Sequence, residues 1–356
     1  MSDLFTATTA AQVEEALARG GDIEEERERK ETPLISAIRK GELEVVDCLL
    51  NHGANPRHRP AWFMGPIQLA ATLGHAAIAE RLVKAGADIN DNEDGRGNTA
   101  LIFAARNGFM DVVDCLLSLG ANIEAKDSDE RTALMTACHY GSIDVVDRLL
   151  AAGANPHVID KDGNTALILA AGGGHLPIID RLLILGVDIN HRNRWGRSNA
   201  LMKASLYGRT EVVDRLLSVG CDINAQDHQG ETALMKGCAA RKIDVVKLLL
   251  DNGADPNIVD EEGRKAFQHS WPSPPEIRTL LNGLILLSFH HHHHHHVPWD
   301  SRIDPKPQTD EREMMNIITT IEKNISPRRN ERPPSPSSSD LNPSPFLWSS
   351  SIPHPL

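Results

Sequence analysis

Aromatic residues are scarce in this chain: only 4% of its 356 residues are Phe, Trp or Tyr, against 40% hydrophobic residues overall. A core must therefore be built from Leu, Ile, Val and Ala, which suits thin helical layers. The length fits two or three ordinary domains or one elongated array. Cysteine is also sparse. Cys48, Cys115, Cys138, Cys221 and Cys238 are odd in number and contain no Cys-x-x-Cys pair, which speaks against a disulfide framework or a zinc site and for a reducing compartment. Basic charge is in deficit, with a formal net charge of -12. Nucleic acid and anionic membranes select basic faces, so neither is expected as the main partner; a basic or neutral protein surface is. Long apolar runs are missing as well. The first dozen residues lack a basic stretch followed by an apolar one, and the longest run, around Leu284 to Leu287, falls far short of the roughly 20 residues that span a bilayer. The expectation is a soluble, monomeric protein of the cytoplasm or nucleus.

The signatures of catalysis are missing too. There is no HExxH, no GxSxG and no kinase motif, and the run Gly172-Gly173-Gly174-His175 lacks the Lys-Ser/Thr that completes a phosphate loop. Aspartates such as Asp144, Asp147, Asp214 and Asp244 recur because a unit recurs. No catalytic residue and no cofactor is expected.

What the sequence does have is a repeat. A pair of apolar residues, two variable residues, Gly, a small residue and then Asp or Asn return at Gly20, Gly53, Gly86, Gly120, Gly153, Gly186, Gly220 and Gly253, spaced by 33 or 34 residues. Twelve or thirteen residues after each glycine comes a second phrase: Thr32-Pro33-Leu34, Gly65-Pro66-Ile67, Thr99-Ala100-Leu101, Thr132-Ala133-Leu134, Thr165-Ala166-Leu167, Asn199-Ala200-Leu201, Thr232-Ala233-Leu234 and Lys265-Ala266-Phe267. Threonine here predicts a helix start, because its hydroxyl accepts a bond from an otherwise unpaired N–H of the first turn. A second helix, as in Ile143 to Leu150, ends at the glycine, which tolerates the left-handed backbone beyond a helix end. Asp162-Gly163 and its counterparts read as tight turns.

These two phrases in register resemble the ankyrin repeat family over about residues 4–285. The resemblance implies an all-α solenoid of helix-turn-helix units whose hairpin-like turns project as fingers and whose first helices line a concave face. Seven full repeats between partial caps would make residues 1–288 one repeat domain. The His that usually follows the family's Thr-Pro-Leu is replaced by Ile35, Gln68, Ile102, Met135, Ile168, Met202, Met235 and Gln268. His75 and His175, after the inter-helix glycine, and Cys138 and Cys238, at positions held by Ala in sister repeats, read as structural. The resemblance also marks Asn90, Asn190 and Asn224 as similar to asparagines hydroxylated in the family, although turn stabilisation explains them more simply.

Residues 289–356 form a histidine run and a Pro/Ser-rich tail, whose composition predicts disorder. The run, His290, His291, His292, His293, His294, His295 and His296, offers imidazoles to a divalent metal without fixed geometry; a low-complexity spacer or a purification tag is the plainer reading. Within the tail, Met314, Ile317, Ile318, Ile321 and Ile325 would share one face of a short helix over 310–325, a docking element or, on the plainer reading, a transient helix in a disordered tail. Ser326, Ser335 and Ser344 each precede Pro and are similar to proline-directed kinase sites, a match that short motifs also produce by accident.

Because framework positions serve the fold, positions that vary between repeats are the candidates for binding a partner protein. On the expected concave side these are Leu69, Leu73, Phe103, Arg106, Tyr140, Lys203, Leu206 and Tyr207. In the fingers they are Trp62 and Phe63, and Trp195 among Arg192, Arg194 and Arg197. Trp, Tyr and Arg dominate binding hot spots, since they bury area and keep a polar handle. The expected function is non-enzymatic: an adaptor or scaffold that holds a partner protein, or alternatively a regulator that masks a target enzyme.

Overall fold

A computed structural model describes residues 3–61, 64–270 and 274–292, with side chains to residue 283. Trp62 and Phe63, the histidines from His293 on, the stretch 310–325 expected to form a short helix, Ser326, Ser335 and Ser344 lie outside the described residues. The chain divides into two compact units, Met1–Asn282 and Gly283–Leu356. Among the described residues every regular element is helical, and no helix is long and apolar enough to cross a membrane.

The first unit begins with α1 (Ala10–Ala18). Seven helix pairs follow: α2 (Pro33–Lys40) with α3 (Leu43–Asn51), α4 (Pro66–Leu73) with α5 (Ala76–Lys84), α6 (Ala100–Asn107) with α7 (Met110–Ser118), α8 (Ala133–Tyr140) with α9 (Ile143–Ala151), α10 (Ala166–Gly173) with α11 (Leu176–Ile184), α12 (Ala200–Leu206) with α13 (Thr210–Ser218), and α14 (Ala233–Ala239) with α15 (Ile243–Asp251). A short α16 (Ala266–His269) and then α17 (Pro275–His292), which enters the histidine run, come last. The even-numbered helices from α2 to α16 stack on one another as an inner row, and the odd-numbered ones from α1 to α15 form an outer row.

Each inner helix starts where the sequence puts an N-cap. The hydroxyls of Thr32, Thr99, Thr132, Thr165 and Thr232 accept the N–H three residues on, at 3.3–3.4 Å, and the Asn199 carboxamide oxygen accepts that of Met202 at 2.9 Å. Such a cap contributes about 1 kcal/mol. Gly65 and Lys265 cannot cap in this way. In these two repeats the bond runs the other way round the turn: the side-chain oxygens of Gln68 and Gln268, three residues into the helix, take the N–H of Gly65 at 2.7 Å and of Lys265 at 2.8 Å.

The outer helices bury a single stripe, such as Val145, Val146 and Leu149 of α9, which is what apolar residues at helical spacing dictate. They end on the repeat glycine. Gly53 sits at φ +86°, and the N–H of Ala54 reaches back to the Leu49 carbonyl at 3.0 Å; a side chain at such a φ costs roughly 1–2 kcal/mol. Ala104, Ala105, Ala170, Ala171, Cys138 and Cys238 have no exposed surface, so the small residues lie at the joints between helices.

One backbone bond per finger fixes the stacking of the later turns. The N–H of Lys161 donates to the Asp129 carbonyl (2.8 Å), Arg194 to Asp162 (2.8 Å), His228 to Gly196 (2.7 Å) and Glu261 to Gln229 (2.9 Å). Within a finger, an aspartate holds the turn: Asp160 Oδ1 accepts the N–H groups of Asp162 at 3.0 Å and Asn164 at 2.8 Å. Asn90, Asn190 and Asn224 bridge successive repeats, their side-chain oxygens accepting the N–H of Asn122, Asp222 and Asp255 at 2.8, 3.1 and 2.9 Å.

Candidate functional site

The inner row and the fingers meet in a cleft of about 350 Å³ lined by Trp195, Ser198, Met202, Lys203, Leu206, Asp227, His228, Gln229 and Lys236. Three sequence candidates, Trp195, Lys203 and Leu206, come together here. The finger holding Trp195 is set from both sides. Arg194 N–H bonds to the preceding finger, and Arg192 donates from its guanidinium to the Gln226 carbonyl at 2.9 Å in the following one. Trp195 itself is 74% exposed, and its chain neighbours Arg194 and Arg197 are exposed too, so the finger presents an indole and two cations to solvent.

The floor of the cleft is polar. Lys236 Nζ lies 2.7 Å from Asp227 Oδ2 and also contacts Glu231. Burial alone would lower the Lys236 ammonium, but the bonds from Asp227 and Glu231 outweigh it and hold the group above its ordinary value, charged. The sequence reading left Ser198, Met202, Asp227, His228 and Gln229 out of the candidate set. Their signal was the period itself, since residues 227–229 belong to the finger one repeat beyond Trp195.

The other candidates are spread along the array. Leu73, Tyr140 and Tyr207 are exposed; the Tyr140 ring stands edge-on to His139 with centroids 4.9 Å apart. Arg106 is half-buried, donates to Asn98 Oδ1 at 3.0 Å and lies 5.3 Å from the Phe103 ring centroid. Leu69 and Phe103 were expected on the concave surface, and the structure corrects this. They are 8% and 7% exposed, because this position faces the groove between successive inner helices. Ser36, Thr136 and Leu169 at the same position are buried too. Only Lys203 and Lys236 escape, since their long stems carry the ammonium out to the cleft.

Two groups of metal-type donors assemble among the described residues: Glu231, Asp260 and His269 on the inner side, and Glu14, Cys48 and His52 on the outer helices. In the first, cations are already supplied by protein: Arg264 Nε bonds Asp260 Oδ2 at 2.9 Å and Lys236 contacts Glu231. The cysteines offer no activated nucleophile. Burial pushes the thiols of Cys138 and Cys238 up to about 12 and that of Cys221 to about 11.

The profile of the family described as "Ankyrin repeats (3 copies)" matches in five overlapping placements, residues 5–93, 67–160, 101–193, 143–227 and 167–260. The chain belongs to the ankyrin repeat family. A 113-residue stretch is 36% identical to ankyrin repeat and KH domain-containing protein mask-1 of Caenorhabditis elegans, covering 32% of this chain and 4% of that protein. Over 95 residues it is 32% identical to cyclin-dependent kinase 4 inhibitor B of Bos taurus, covering 27% of this chain and 72% of that protein. Over 98 residues it is 38% identical to probable E3 ubiquitin-protein ligase XBOS32 of Oryza sativa, covering 26% and 19%. The ankyrin chain thus spans only a small part of most of these relatives. The crystal structure of the human ASB11 ankyrin repeat domain superposes with a TM-score of 0.55 at 24% identity, covering 61% of this chain and 96% of that one, which shows the shared solenoid fold. An ankyrin array is a protein-interaction module, and the departures from its repeat, such as the Trp195 finger, are where this one differs from its own sister units.

Proposed function

We propose that this ankyrin array acts without turnover as an adaptor, holding a segment of a partner protein in the cleft beneath Trp195. The observation that carries the reading is the exposed indole at a cleft that Met202 and Leu206 line together with Lys203 and Lys236. Aromatic and arginine side chains of this kind anchor interfaces. The finger is opposite in sign to the chain's net charge. The segment seated here accordingly presents carboxylates to Lys203, Arg194 and Arg197 and an apolar side chain to Trp195, while the acidic remainder of the array favours basic surroundings. The protein works as a monomer in the cytoplasm or nucleus, with no nucleic acid or membrane as partner, in keeping with its acidic charge.

Selection of displayed peptide segments against the full chain tests this. Acidic segments with an apolar anchor are expected, and Trp195→Ala should weaken them about tenfold or more with helicity unchanged. Segments that bind the variant as tightly as the parent would refute the site.

A second reading, a regulator that masks an enzyme, is favoured by the similarity to a protein named as a kinase inhibitor. A bound partner whose activity falls in proportion to occupancy would support it over simple scaffolding.

A further inference from the structure

The outer helices carry a ladder of ion pairs. Arg81 Nε lies 3.0 Å from Asp47 Oδ1, Arg148 Nε 2.6 Å from Asp114, Arg181 Nε 2.7 Å from Asp147 and Arg215 Nε 3.3 Å from Asp180. Each arginine stands five residues before its repeat glycine, and each aspartate occupies the place six before the glycine of the preceding repeat. Three rungs lack the arginine: the last has Leu248 in its place, and the other two have Cys48 and Cys115. Opposite Cys115 stands Glu80, and the residue before the repeat glycine is Leu119, which has no donor atom. Opposite Cys48 stands Glu14, and the residue before Gly53 is His52. A carboxylate oxygen, a thiol sulfur and an imidazole nitrogen there lie within 4.8 Å of one another, with His52 Nε2 3.7 Å from Glu14 Oε1.

We propose that Glu14, Cys48 and His52 form a three-ligand site for a divalent cation of the zinc type. Sulfur, imidazole and carboxylate are zinc's own donor set, whereas calcium and magnesium demand oxygen. Cys48 lies in the last turn of α3 and His52 caps that helix four residues on, its backbone N–H reaching the Cys48 carbonyl, so the two stand on one face, and α1 supplies Glu14. Zinc bonds of about 2.0–2.3 Å place tetrahedral ligand atoms roughly 3.4–3.8 Å apart. The exposed side chains of Glu14 and His52 close that distance around Cys48, which is buried and fixed. A fourth position faces solvent. Burial first, then the Glu14 and Glu44 carboxylates, push the Cys48 thiol up; the same carboxylates attract a cation, which releases the thiol proton as it binds. The ion replaces the arginine as the cation of this rung and pins α1 to the array.

Cobalt(II) added to the full chain is the probe, because the histidine run can also take metal but contributes no sulfur. Wild type and Cys115→Ser should show a thiolate-to-cobalt charge-transfer band that Zn²⁺ bleaches. Cys48→Ser, shown to be folded by circular dichroism, should lack it, and His52→Ala should lose more than the roughly 10–100-fold in affinity that even an outer partner of a ligand costs. No band in the wild type, a band that survives Cys48→Ser, or unchanged affinity in His52→Ala would overturn the assignment.

Discussion

The side-chain nitrogen of Gln68 donates to the carbonyl oxygen of Asn98 at 2.7 Å, across thirty residues of sequence. The same carboxamide accepts the Gly65 N–H at 2.7 Å and donates to the Asp91 carbonyl at 3.1 Å, and the side chain is fully buried. One residue thereby caps its own helix and ties it to the next finger, in a repeat whose N-cap position is glycine.

Gln68→Ala should therefore be costly. It leaves the Gly65 N–H and the Asn98 carbonyl buried without these partners, for a loss of about 1–3 kcal/mol. Urea unfolding checks this; an unchanged midpoint would show that water or a relaxed turn replaces the carboxamide. Gln268→Ala, which removes only a cap, should cost less.

Glu130→Gly should stabilise the array by about 1 kcal/mol or less. Glu130 sits at φ +59°, where the equivalent Gly97, Gly163, Gly230 and Gly263 lie at +73° to +76°, so the glutamate bears steric strain that glycine relieves, less the entropy glycine adds to the unfolded chain. The reverse change at Gly163 should destabilise by more, because a Cβ there would come within 2.7 Å of the Arg194 amide nitrogen. Thermal unfolding of the two variants should shift in opposite directions.

The last repeat should weaken in acid. Burial acts to raise the Asp260 carboxyl, but the Arg264 backbone and guanidinium, His269 and the Glu262 N–H outweigh it and lower it to about 2 from an ordinary 3.8. A depressed carboxylate contributes stability that is present above the unfolded value and lost as pH falls through the folded one. Wild type should thus lose this contribution between about pH 4 and pH 2, while Asp260→Asn, weaker at neutral pH, should lose less over that window. Parallel pH dependence of the melting of the two proteins would contradict this.

Cys138 and Cys238 should resist Ellman's reagent near about pH 8 as long as the array is folded, since thiols pushed up to about 12 supply almost no thiolate. Their labelling should follow unfolding, measured against all five thiols released in denaturant. Rapid labelling of the native protein would show that the core joints open.

Much of the fold was legible because a repeat states its rules many times over. Thr32, Thr99 and their sisters cap helices where the phrase places them, and the repeat glycines take positive φ as helix ends require. The candidate site was legible only in part. Trp195 could be singled out as an aromatic in a basic turn, but Phe103 could not be told from a surface residue, since its position is variable among repeats and yet faces a groove.

The sequence by itself determined the unit: its period, its caps, its turns and its apolar stripes, all of them consequences of short-range backbone geometry and helical spacing. Only the tertiary structure decided which variable positions meet. Residues 33 or 34 apart become neighbours by stacking, so the cleft from Trp195 to Lys236 and the meeting of Glu14 with Cys48 and His52 exist in no single repeat.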